Sequence, residues 1–225
     1  MAMYAMVALF MTAATIHAAT RFSSQDGPWN DTATWGGSSV PVAGDVAVIS
    51  HNVSLTANAA AGQIFVNGGA SLNIGAFVLT LNGTGIASEF IDNSGTVSAN
   101  NGRIDFSLNG FYFDGILGDN YYNGAFWGDG TWSLTGTTTV RIPAKTATLT
   151  ELVSFDIYTD SPVTIPNLEY LGPNTTNFIY SDIGQAIIGS TLTMRNRRVA
   201  VDGSVFSLQG PRYNTNATLR YNFSG

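Results

Sequence analysis

Short apolar runs alternate along this chain with glycine and asparagine. From Val40 onward they are VAVI (46–49), VSL (53–55), QIFVN (63–67), SLNI (71–74) and FVLTLNG (77–83). Within a run the apolar residues sit two apart: Ile64 and Val66, Leu72 and Ile74, Leu79 and Leu81. That is the period of a β-strand with one buried face. The NGG, IGA and NGTG between runs supply residues that adopt positive φ at little cost. The texture returns in TVSANNGRIDFSLNG (96–110), TWSLTGTTTVRI (131–142), STLTM (190–194) and RVAVDGSVFSL (198–208).

Strands this short, joined by such tight turns, leave hairpin meanders, sandwiches or a solenoid. Turn-containing units recur at roughly 20-residue spacing without a strict motif, as in repeat architectures. Asparagine-rich turns suit stacked rungs, where a side-chain amide can bond its copy about 4.8 Å along the axis. The expected fold is therefore all-β, a right-handed single-stranded parallel β-helix. A β-sandwich is the alternative, because Asn82-Gly83, Asn109-Gly110 and Asp202-Gly203 are also hairpin signals. The closing NTNATLRYNFSG stops inside the strand-and-turn texture without a polar cap. The helix is accordingly expected to be incomplete at its C-terminus.

Four segments follow from this reading. Residues 1–19, MAMYAMVALFMTAATIHAA, carry no charged side chain and end in small residues. They read as an export signal with an apolar core from Val7 to Met11 and a cleavage point near Ala18 or Ala19. The rival is a hydrophobic tail retained in a filament subunit. Residues 20–109 form the first rungs. Residues 110–130, GFYFDGILGDNYYNGAFWGDG, are an aromatic, glycine- and aspartate-rich excursion. Residues 131–225 are further rungs. No other apolar run is long enough to span a bilayer, so the mature chain is expected outside the cytoplasm without a membrane span.

Composition narrows the function classes. Charged residues make up 11% of the 225, with one lysine (Lys145) and three glutamates (Glu89, Glu151, Glu169). An all-helical fold lacks its usual surface residues here. A net charge of −6 argues against nucleic-acid partners, which need lysine and arginine clusters; the nearest is Arg195, Arg197 and Arg198. The absence of cysteine removes disulfides, thiolate nucleophiles and cysteine zinc sites.

One stretch carries a resemblance. GPWNDTATWGGSSVPVAGDVAVISHNVSL (27–55) sets Trp29, Trp35, Gly36, Gly37, Pro41, Gly44 and Asp45 ahead of Val48, Ile49 and Val53. It resembles the N-terminal rungs of the eight-glycine domain, and equally secreted β-helical surface proteins of the Bacteroidetes. The resemblance implies a right-handed β-helix with surface or adhesive roles and brings no single reaction with it. Physically, Trp29 and Trp35 could cover the open end of the first rung. Gly44-Asp45 suits a tight turn before the buried VAVI run.

Candidate chemistry is sparse. His51 is the sole histidine after the leader, six residues beyond Asp45, and no nucleophile is recognisable beside it. It reads as a turn histidine. Asp114, Asp119 and Asp129 are the clustered acids; turn aspartates commonly bond their own backbone, so no cofactor is expected, with calcium on these oxygen ligands as the alternative. Acid pairs of this kind also serve glycoside cleavage. Tyr121, Tyr122 and Trp127 offer flat faces for stacking on sugars, against the plainer expectation that they seal the solenoid wall. No catalytic residue is assigned. The expectation is an exported structural or adhesive β-helix of a larger bacterial surface or secreted protein, not an enzyme, with surface glycans or neighbouring surface proteins as partners. The alternatives are a carbohydrate-binding or polysaccharide-cleaving β-helix (a lyase or hydrolase) and an extracellular filament subunit.

Overall fold

The computed structural model describes residues 18–82, 89–107, 124–142, 153–171, 179–180, 186–194 and 212–221. Strands follow the predicted period. The first rung holds β1 (Thr20–Phe22) and β2 (Gly27–Pro28); the second β3 (Val46–Ile49), β4 (Asn52–Ser54) and β5 (Ala59–Ala61). The third holds β6 (Gln63–Val66), β7 (Ser71–Gly75) and β8 (Val78–Leu81), the fourth β9 (Glu89–Asn93), β10 (Thr96–Asn100) and β11 (Arg103–Phe106). The fifth holds β12 (Gly124–Gly128), β13 (Thr131–Thr135) and β14 (Thr139–Ile142). Then come β15 (Val153–Thr159), β16 (Val163–Tyr170), β17 (Ile179–Tyr180), β18 (Ala186–Met194), β19 (Arg212–Tyr213) and β20 (Thr218–Tyr221).

Each strand pairs with the strand one turn of chain later. The first sheet runs β1-β3-β6-β9-β12-β15-β17, the second β2-β4-β7-β10-β13 and the third β5-β8-β11-β14-β16-β18-β19, with β20 also on β18. Every strand pairing among the described residues is parallel. Three parallel sheets wound in this order are a parallel β-helix; hairpin pairing, which a sandwich requires, is found nowhere in them.

Inward positions stack in register. On the third sheet Ala59 lies beside Leu79, Leu79 beside Ile104, Ile104 beside Val140, Val140 beside Leu168 and Leu168 beside Leu192. Leu79, Ile104, Val140 and Leu168 are completely buried. Each buried aliphatic side chain of this size is worth about 1.5–3 kcal/mol. Asparagines do join adjacent rungs, but through unlike partners rather than their own copies. Asn67 Nδ2 donates to Ser50 Oγ at 2.7 Å, Ser71 Oγ to Asn52 Oδ1 at 2.8 Å and the Thr137 amide to Asn101 Oδ1 at 2.9 Å. Strand register sets unlike residues side by side at these turns, as with Asn52 beside Ser71.

That length difference has a definite place. Val46 lies beside Gln63, Gln63 beside Phe90 and Phe90 beside Ala125, so one turn of chain grows from 17 to 27 to 35 residues. Through the fifth rung, the connections from first to second sheet and from second to third stay at two to four residues. From third sheet back to first they are residue 62, then 82–88, 107–123 and 143–152. All the extra chain enters and leaves at one corner.

The N-terminal end is closed by residues 29–45, where rung one has no third-sheet strand. Trp29 and Trp35 are 3% and 2% exposed and meet edge to face at 5.1 Å. Trp35 Nε1 donates to the Trp29 carbonyl at 2.7 Å, and Trp29 Nε1 to that of Pro41 at 3.4 Å. A single 3₁₀ turn, Thr32–Trp35, holds the pair; Asp31 caps it by accepting from the Ala33 amide, and Gly36 ends it at φ 68°.

Candidate functional site

Strand alternation sends one residue in two of the first sheet outward, and there the side chains turn aromatic. Register sets Phe22 beside Val48, Val48 beside Phe65, Phe65 beside Asp92, Asp92 beside Trp127 and Trp127 beside Tyr158. Phe90, two residues from Asp92, fills the space between. Phe65 meets Phe90 edge to face at 5.3 Å; Phe90 and Trp127 stack at 5.9 Å with 20° between planes; Trp127 meets Tyr158 at 5.9 Å and 88°. The four rings make one stripe along the helix axis over β6, β9, β12 and β15. Each such ring pair adds about 0.5–1.5 kcal/mol beyond the area it buries. Tyr158 is 41% exposed and Phe22, at the far end of the same column, 63%.

Of the three aromatics offered as the alternative sugar-stacking set, Trp127 belongs to this stripe, while Tyr121 and Tyr122 lie outside the described residues. Trp127 has a ring neighbour on either side and is half-buried, as are Phe65 and Phe90; the exposed rings of the column are Tyr158 and Phe22. Strand β12 occupies 124–128, the last part of the segment read as an excursion. Its Phe126 points inward, completely buried, against Phe106 at 5.8 Å and Trp132 at 4.3 Å. Gly128 follows at φ 99°, where a Cβ would collide with the Asn93 carbonyl. Asn93 itself is fully buried, and its side chain bonds the Thr131 carbonyl and the Gly95 amide, linking two rungs beneath the stripe.

Asp129, the one described member of the trio offered as the alternative calcium set, is exposed in the bend between β12 and β13; Asp114 and Asp119 lie outside the described residues. Among the described residues no three metal-binding side chains gather. No helix among them is long and apolar enough to cross a membrane.

His51 does have a hydroxyl partner that the sequence did not disclose. Ser23 Oγ lies 3.0 Å from its Nδ1, joined across the first two rungs. Such a contact is the first requirement of a base-activated serine. The remaining requirements are unmet. Ser23 is buried, its Oγ already accepts the Ser50 amide at 2.8 Å, and no carboxylate among the described residues bonds the other ring nitrogen. Asp45 turns instead to Ala19 and Arg21, and Asp26 to the main-chain and side-chain N–H groups of Asn52. The pair is a clamp between rungs. No family model, curated protein or solved structure matches the chain.

Proposed function

We propose that this chain is a segment of an exported β-helical shaft in a larger bacterial cell-surface or secreted protein, structural or adhesive in role and without catalysis of its own. The confinement of extra chain to one corner carries this reading. Two corners are held at two to four residues through the fifth rung while the third admits up to seventeen, residues 107–123. A rigid rod that varies along a single edge suits presentation of contact segments to a partner. Antibody labelling of intact producing cells tests the proposal. Label on unbroken cells, lost on protease shaving, is expected; label appearing only after lysis overturns it.

The outward stripe favours a second reading, carbohydrate binding on the first sheet. Aromatic faces stack on the apolar faces of sugar rings, and a chain of net charge −6 favours neutral over acidic glycans. Retention on insoluble neutral polysaccharides should fall at least about tenfold in a Phe65→Ala/Tyr158→Ala variant, equivalent to about 1.4 kcal/mol. Unchanged retention by a variant that still melts cooperatively would remove this reading.

A further inference from the structure

Asp45, just before β3, is a buried carboxylate with one long guanidinium contact. Its side chain is 4% exposed. Oδ1 accepts the Ala19 main-chain N–H at 2.9 Å; Oδ2 accepts the Val42 amide at 3.3 Å and Arg21 Nε at 3.4 Å. Among the described residues Arg21 is the one cation in contact, and the contact is long. Burying a carboxylate is costly unless charge and hydrogen bonds compensate it. Ala19 is held from its other side as well, since its carbonyl accepts the Val46 amide at 2.8 Å. Ala18 is exposed.

We propose that the mature protein begins at Ala19, and that its new α-ammonium forms an ion pair with Asp45. This rests on the export reading. Hydrolysis by a leader peptidase adds water across the Ala18–Ala19 bond, leaving a carboxylate on Ala18 and an ammonium on Ala19. A neutral amide donating one proton thereby becomes a cation with three, at the same 2.9 Å from Oδ1. Charge-assisted bonds of this kind are roughly twice as strong as neutral ones. Cutting one residue later would remove both main-chain contacts of Ala19. It would also set His17, rather than the apolar Ile16, three residues before the cut. Processing gives the buried Asp45 carboxylate a second cation beside Arg21.

The ammonium should hold its proton longer than a free α-amine, whose ordinary pKa is about 7.7–8.0. Among the described residues Arg21 and Asp45 are the charged groups facing it; Gly62 and, at the start of β6, Gln63 bond the Asp45 carbonyl and are uncharged. A raised amine pKa contributes stability fully present below the unfolded value and lost as pH rises through the folded one.

The test starts with N-terminal sequencing of the exported protein, then compares melts before and after acetylation of the α-amine in a Lys145→Arg background, which leaves it the sole amine. A start at Ala19 is expected. Acetylation, which keeps an N–H but removes the charge, should lower Tm at pH 6.5 by about 2–4 °C. It should have no effect in an Asp45→Asn variant, and the wild-type gap should close in alkaline solution. Retention of the leader would overturn export and capture together. A start elsewhere, or equal melting of free and acetylated protein, would overturn capture alone.

Discussion

The two ends of the apolar stack treat equivalent residues in opposite ways. At the start, Trp29 and Trp35 are almost completely buried over a rung that lacks its third-sheet strand. At the far end, Leu219 and Tyr213 stand in register with buried Leu192 and Ile188, yet are 42% and 45% exposed. Strand alternation aims a side chain inward in both places. It does not cover it. Covering requires atoms above the open rung, and two indoles supply them from a seven-residue segment because each is large and can satisfy its single N–H.

The comparison can be broken at its strongest point first. Trp35→Ala removes the edge-to-face contact and the bond to the Trp29 carbonyl, and should cost about 3–5 kcal/mol in urea unfolding. A loss under about 1 kcal/mol would mean that the indoles do not close the stack. A matched pair sharpens the point. Leu79→Ala, mid-stack and completely buried, should cost about 2–5 kcal/mol, and Leu219→Ala no more than about 0.5 kcal/mol. Equal losses would show the far end to be as well covered as the middle.

The smallest effect concerns how the first rung is tied down. Asp26 is held below the usual carboxylate value of 3.8 by the Asn52 main-chain N–H, then by the Asn52 side chain, with His51 contributing. A lowered carboxyl pKa contributes stability above 3.8 that disappears as pH falls through the folded value. Asp26→Ala should therefore melt slightly below wild type at neutral pH, and the difference should shrink in melts taken at falling pH below 3.8. A difference that persists there would assign the contribution to packing rather than charge.

Several elements could be read directly. Strands β3, β6, β7, β8, β10, β11, β13 and β14 lie within the runs marked by period two, because one buried face writes that period into the sequence. Others carry no such mark. Strand β5 is AAA, weak as a strand former, and is held by its pairing with Leu79, Thr80 and Leu81. Strand β9 interrupts its pattern with Asp92 and Asn93, one facing out and the other buried because the neighbouring turns bond its amide.

The candidate site was less visible for the same reason. Phe65, Phe90, Trp127 and Tyr158 are separated by 25, 37 and 31 residues, so no local pattern marks them as neighbours. Ser23 and His51 are likewise joined only by strand register. What the sequence determined by itself was the periodic, low-charge, turn-punctuated texture of stacked strands, because alternation and turn chemistry act over a few residues. What the tertiary structure decided was which rungs lie beside which. Connections of unequal length at one corner set that register, and it is contact between rungs, not neighbourhood in the chain, that assembles the aromatic stripe, the Ser23–His51 clamp and the seat for Ala19.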